Sequence, residues 1–245
     1  MTAAQNAAAR EGGAFRKEII GDATLILGDC RDVLPTLDRA CSVVSDPPYG
    51  MDWNTDSSRF SGGELHHRKR RDPGRSDWPE IHGDDQPFDP TPWLEFRACI
   101  LWGANHYAAR LPVGTTLVWI KRLDAAFGSF LSDAEVGWQK GGHGVYCKRD
   151  LTNYALTSER AHPTQKPIGL MEWCIARAPP TGTILDPFMG SGSTGVAALQ
   201  LGRRFIGIER EPQYFDAARR RIAEAHAQPR LFSEPEPKPV QGALL

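Results

Sequence analysis

"LDPFMGSGSTG", residues 185–195, sits between the apolar run TILD and the helical pattern STGVAALQL. Gly190, Gly192 and Gly195 satisfy G-x-G-x-x-G between a strand and a helix, and Glu209 closes the next strand, RRFIGIE, about where a ribose-binding acid is expected. Taken alone, this is a dinucleotide fingerprint, and a dehydrogenase has to be weighed against it. The bland alternative is a tight turn that holds no ligand. A P-loop is excluded, because no Lys-Ser/Thr pair follows the glycines.

The position of the turn in the chain decides the fold. Dinucleotide-binding sheets normally open with their glycine turn and add several strands after it. Here only one strand and one helix, PQYFDAARRRIAEAHA (212–227), remain. The rest of the sheet must come from residues 20–140, so the cofactor half is written last. Short apolar runs alternate there with helix-like segments, the βα signature of a mainly parallel sheet. ATLILGDC (23–30), CSVVS (41–45), CILWG (99–103), TTLVWIK (115–121) and AEVGWQK (134–140) read as strands. PIGLMEWCIARA (167–178) reads as a helix with proline at its start and Ile168, Met171 and Ile175 on one face. The expectation is a single Rossmann-like α/β domain over 15–227 with a mainly parallel, seven-stranded sheet. Its order is circularly permuted. Residues 1–14 and the proline-rich 228–245 read as disordered ends.

Composition bounds the rest. The chain has 245 residues, 40% of them hydrophobic and 24% charged, with a net charge of -1, as expected of a soluble globular protein. Five cysteines without a C-x-x-C read as reduced core residues of a cytoplasmic protein. No run has signal-peptide or membrane-spanning character. The histidines of LHH (65–67) have no partner at ligand spacing, so no metal is expected.

The second informative stretch is VVSDPPYG (43–50). A strand ends in Asp46, and two prolines without N–H groups stiffen the loop at φ near −65°. The Asp46 carboxylate and the Pro47 carbonyl then offer two acceptors side by side, which match the two donors of a planar exocyclic amine. Tyr49 follows Pro48, and its ring gives a base a face to stack on. In an open α/β sheet, ligands lie at the carboxyl ends of strands where the strand order switches. The strands ending at Asp46 and Asp186 are therefore expected to face one crevice.

DPPYG, then HPTQKP (162–167), then LDPFMGSGSTG resembles the beta-class amino-methyltransferases of DNA, in which the catalytic motif precedes the S-adenosylmethionine motif. The resemblance spans roughly residues 20–227. It implies a catalytic set of Asp46, Pro47, Pro48 and Tyr49, with the target base flipped out of the duplex. It implies that Gly190 and Gly192 admit the cofactor backbone-close and that Phe188 borders it, with Asp186 and Ser191 in the same turn. Ser193 and Thr194, at a helix N-terminus, would receive the cofactor carboxylate. Thr164, Gln165 and Lys166 would cradle its methionine end, Glu209 its ribose, and Asp29 would lie near its adenine. Asp29 could instead cap the turn that follows it, and Lys166 could be a solvated surface lysine.

Asp at position 46 favours adenine N6, since relatives acting on cytosine N4 more often carry Ser there. An RNA or protein amino-methyltransferase remains the alternative of another class. DNA is the expected partner, and a homodimer is known among relatives. The short 141–161 segment is too small for an independent recognition domain. The 51–90 insertion holds Arg68, Lys69, Arg70, Arg71 and Arg75, expected to lie over DNA phosphates unless they are simply a solvated loop.

Overall fold

The computed structural model describes residues 10–11, 14–51, 85–128, 132–151 and 165–228. Among them one sheet of nine strands runs through the molecule in the order β1-β2-β3-β9-β8-β4-β5-β7-β6. The strands are β1 (Arg10–Glu11), β2 (Ala14–Ile20), β3 (Ala23–Leu27), β4 (Ser42–Ser45) and β5 (Ala98–Trp102). They continue with β6 (Gly114–Ile120), β7 (Ala134–Arg149), β8 (Ile184–Asp186) and β9 (Phe205–Glu209). The helices are α1 (Cys30–Val33), α2 (Thr91–Leu94), α3 (Ile168–Arg177), α4 (Ser193–Gln200) and α5 (Pro212–Ala227).

The expected parallel core is present. β3, β9, β8, β4 and β5 pair in parallel, and β7 joins β5 antiparallel. Two strands exceed the expected seven. β1 and β2 extend the sheet antiparallel from β3, so Arg10, Glu11 and Ala14, expected in a disordered end, are paired. β7 is also longer than AEVGWQK. Its first half runs antiparallel to β6, with Thr115 opposite Gln139 and Ile120 opposite Ala134. Beyond Gly141 and Gly142, at φ 82° and 68°, the chain returns along β6 in rising register, from Thr116 opposite Val145 to Ile120 opposite Arg149. Residues 141–149 of the short 141–161 segment are thus sheet edge.

Alternation along each strand divides the core between the two faces. Leu25, Val44, Ile100, Trp102 and Ile184 meet α3, α4 and α5 through Leu170, Ile175, Val196, Phe215 and Ile222. Ile26, Val43, Leu101, Leu185 and Ile208 face the other way, against Val33, Phe88, Trp93 and Phe96. Pro212 opens α5 at a position that needs no N–H, and the 3.6-residue period brings Phe215, Ala218 and Ile222 to zero exposure. Each such large side chain contributes on the order of 1.5–3 kcal/mol. Cys30, Cys41, Cys99 and Cys174 are buried thiols as expected, whereas Cys147 on the returning half of β7 is exposed. Among the described residues no helix is long and apolar enough to cross a membrane.

This order positions the site. β8 leads to β9 on one side, and β4 leads to β5 on the other, so the switch point lies between the paired strands β4 and β8. Asp46 follows one of these strands and Asp186 ends the other.

Candidate active site

A cleft of about 1220 Å³ opens at the carboxyl ends of the central strands and brings the two motifs together. Its lining includes Asp46, Pro47, Pro48 and Tyr49 on one side, and Asp186, Phe188, Gly190, Ser191, Ser193, Thr194 and Glu209 on the other. Asp29, Gln165 and Lys166 also line it. Thr164 and the basic cluster Arg68, Lys69, Arg70, Arg71 and Arg75 lie outside the described residues.

At the DPPY corner both oxygens of Asp46 are engaged. Tyr49 donates its hydroxyl to Oδ1 at 2.5 Å, and Lys166 donates its ammonium to Oδ2 at 2.5 Å. The Lys166 side chain is only 6% exposed, while that of Asp46 keeps 18%. Lys166 Nζ also lies 3.0 Å from Glu135 Oε2, and Lys121 donates to Glu135 Oε1 at 2.8 Å. Lys166 is thus no solvated lysine, and its partner is the acid of DPPY rather than the glycine turn. Burial pushes the Asp46 carboxyl above the ordinary range, and the Lys166 charge pulls it back. Burial would lower the Lys166 pKa, but Asp46 and Glu135 outweigh it and raise the value. Burial would also raise Glu135, yet Lys166 and Lys121 bring it down to about 2. Burial and the neighbouring Asp46 carboxylate hold the Tyr49 phenol well above its usual range.

Tyr49 is boxed in. His106 stacks on it at 5.0 Å and 10° between planes, and a β-carbon on Gly103 would fall 2.0 Å from its ring. One ring face is therefore already covered, which narrows the stacking surface the sequence led us to expect.

Across the cleft, the glycine turn is fastened from beneath. Asp186 does not project freely. Its Oδ1 accepts from Ser45 Oγ at 2.6 Å and from Phe188 N at 3.1 Å, and burial raises its pKa to about 6. Gly190 and Gly192 have φ of 53° and 81°, where other residues are strained. At Gly192 and Gly195 a side chain would also strike α5 or β9. The nearest atoms would be Ala218 Cβ at 2.9 Å and Ile222 Cδ1 at 2.6 Å respectively. Close packing of α5 thus demands glycine at 192. Gln165 accepts from Ser191 Oγ at 3.2 Å. Arg221, which the sequence reading did not single out, donates from α5 to the Ser191 carbonyl at 2.6 Å and to Ser191 Oγ at 2.9 Å.

Glu209 accepts from Gly190 N and Glu211 N, both at 2.8 Å, and burial lifts it to about 7. Asp29 caps α1, accepting from Arg31 N at 2.9 Å and pairing with the Arg31 guanidinium, whose hydrogen bond keeps its carboxyl low. The bland reading of Asp29 thus holds, and its carboxylate still borders the cleft. Phe188 meets Phe88 and Trp93 edge-on, each at 5.7 Å, forming an aromatic wall beside it. Among the described residues no cluster of His, Cys, Asp and Glu could hold a metal ion.

Residues 131–220 match the model of a family described as DNA methylase. The type II methyltransferase M2.DpnII of Streptococcus pneumoniae is 56% identical over 62 residues, 25% of this chain and 23% of that protein. The type II methyltransferase M.HinfI of Haemophilus influenzae is 44% identical over 72 residues, 29% and 20% of the two chains. The matched stretch thus spans less than a quarter of either relative.

Among solved structures, the M1.HpyAVI–SAM complex superposes with a TM-score of 0.53 at 19% identity, covering 81% of this chain and 99% of that one. TTHA0409 of Thermus thermophilus, complexed with S-adenosyl-L-methionine, gives 0.51 at 19%, covering 82% and 95%. These two likenesses establish the α/β fold. The resemblance to DNA amino-methyltransferases read from the three motifs is therefore supported by the family model and by these relatives over the stretches they match.

Proposed function

We propose that this DNA methylase relative transfers a methyl group from S-adenosylmethionine to the exocyclic N6 amine of adenine in DNA, with the target base flipped into the cleft. The observation that carries the reading is the meeting of Asp46 and the glycine turn at one switch point, across paired strands.

The cleft suits the cofactor chemically. The amides of the first turn of α4 have no partner within the helix, which favours a carboxylate at Ser193–Thr194. Glu209 retains lone pairs for ribose hydroxyls, and Phe188 with Asp29 offers an aromatic face and an acceptor for an adenine ring. When bound, the cofactor supplies an electrophilic methyl on a sulfonium.

The chain's own residues act on the amine. Its lone pair is delocalised into the ring, so it attacks weakly. Each carboxylate oxygen accepts more than one hydrogen bond, so Asp46 can take an amine N–H while keeping Tyr49 and Lys166. Its charge then stabilises the positive charge growing on nitrogen, a gain made mainly in the transition state. Tyr49 and the Pro47–Pro48 backbone hold the base flat for in-line transfer.

The reading is tested by methyl transfer from labelled S-adenosylmethionine to unmethylated plasmid, with nucleoside analysis and Asp46→Ala as control. N6-methyladenine that disappears in the variant supports it. N4-methylcytosine would keep the mechanism and replace the base. Transfer to RNA or protein alone would overturn it.

A further inference from the structure

Glu135 belongs to none of the three motifs. It is the second residue of β7, on the strand that pairs with β5, and its side chain enters the cleft from the side opposite the cofactor half. Its two oxygens divide between two ammonium groups, Lys166 at 3.0 Å and Lys121 at 2.8 Å. Lys166 in turn spans Glu135 and Asp46, and lies 3.3 Å from the Tyr49 hydroxyl. Two cations and two anions alternate along one line that ends at the acid of the catalytic motif.

We propose that Glu135 is a positioning residue for methyl transfer, holding the Lys166 ammonium on Asp46 Oδ2 so that Asp46 stays an oriented, charged acceptor for the incoming amine. This rests on the reading of Asp46 as that acceptor. A lysine has a long, flexible stem and a compact charge that can turn in several directions. Asp46 alone fixes one end of its hydrogen bonding. Glu135 adds a second anchor on the far side, and Lys121 neutralises Glu135 so that the Lys166 charge still serves Asp46. The need is physical, because desolvation favours the neutral acid and a neutral Asp46 would be a poor acceptor for a nitrogen gaining positive charge. Among the described residues, Tyr49, Tyr107, Cys174 and Asp186 also face this line.

Positioning and bare charge make opposite forecasts. Glu135 as a nearby anion raises the Asp46 pKa through space, so its neutralisation alone would lower it. If Glu135 acts by holding Lys166, then Glu135→Gln frees the ammonium and moves the Asp46 pKa up, in the same direction as Lys166→Gln. The experiment is a carboxyl ¹³C NMR titration of Asp46 in the full chain without substrate, beside the pH profile of kcat and KM for DNA.

The expected result is an upward Asp46 titration in both variants and a matching upward move of the acid limb of kcat. At neutral pH kcat should fall by roughly tenfold or more, with S-adenosylhomocysteine affinity unchanged. Lys166→Arg, which keeps the charge, should recover part of the rate. An Asp46 titration that is unchanged or moves down in Glu135→Gln overturns the proposal. Should that variant not fold, Glu135→Asp shortens the arm while keeping the charge, and a wild-type Asp46 titration there overturns it equally. A wild-type protein that methylates no DNA would fail the functional reading, while the substrate-free titration still decides the role of Glu135.

Discussion

Ser45 donates its hydroxyl to Asp186 Oδ1 at 2.6 Å, across 141 residues of sequence and between the two central parallel strands. This bond joins the last residue of β4, which leads to Asp46, to the last residue of β8, which leads into the glycine turn. Both partners are buried, at 0% and 3% exposure. Asp186 uses the same oxygen for the Phe188 amide, so one carboxylate sets the geometry of both halves of the cleft.

Ser45→Ala should therefore be felt in two places. Removing one donor from a buried carboxylate costs about 1–3 kcal/mol. We expect a lower midpoint in thermal unfolding, together with weaker S-adenosylhomocysteine binding by calorimetry. Loss of stability with unaltered affinity would show that the turn keeps its shape without this tie.

Tyr49→Phe keeps the ring stacked on His106 but removes the donor to Asp46 Oδ1. A hydrogen bond to a charged group is worth about 1.5–3 kcal/mol. Measured kcat should fall by roughly tenfold or somewhat more, with KM for DNA little changed. A rise in KM alone would assign the hydroxyl to substrate binding instead.

The parts legible in the sequence are those written in local pattern. Strands β3, β4, β5, β8 and β9 are short β-branched or aliphatic runs, and α5 carries its period and its N-terminal proline in plain view. The glycine turn and DPPY announce their cleft because strand ends are where parallel sheets bind ligands. Strand β2, AFRKEII, escaped because an edge strand mixes charge with exposed apolar residues, Ile19 being 76% exposed. The return of β7 escaped because Gly141-Gly142 reads as a loop. The placement of Lys166 escaped for a different reason. Its partners Asp46 and Glu135 are chosen by the order of strands in the sheet, and no spacing along the chain encodes that. Arg221 likewise sits among ordinary helix-surface arginines until α5 is packed on the turn.

Two glycines separate strain from clash. Gly192 and Gly128 have similar φ, 81° and 74°, but a β-carbon at 192 would lie 2.9 Å from Ala218 Cβ, whereas at 128 nothing lies within 4 Å. Gly128→Ala should cost only the left-handed backbone penalty, about 1–2 kcal/mol. Gly192→Ala should cost that plus displacement of α5 from the turn, and should also weaken S-adenosylhomocysteine binding. Equal unfolding midpoints for the two variants would mean that α5 moves aside without penalty.

Glu209 makes the site sensitive to pH in a direction that can be worked out. Burial lifts its carboxyl from 4.5 to about 7, against the pull of the Glu211 and Gly190 amides. A folded-state pKa above the unfolded one means that the native protein holds the proton more tightly. The stabilisation from this group is full below about pH 4.5, is lost as pH rises to about 7, and amounts to a few kcal/mol at most. Ligand-free protein should accordingly lose stability from this source between those limits, and Glu209→Gln should flatten that part of the profile. Binding runs the other way. A ribose hydroxyl bonds more strongly to a carboxylate than to a neutral acid, so S-adenosylhomocysteine affinity should fall as pH drops below about 7. Calorimetry in buffers of different ionisation enthalpy should register proton release on binding near neutral pH. An affinity independent of pH in the wild type, matching that of Glu209→Gln, would remove Glu209 from the ribose site.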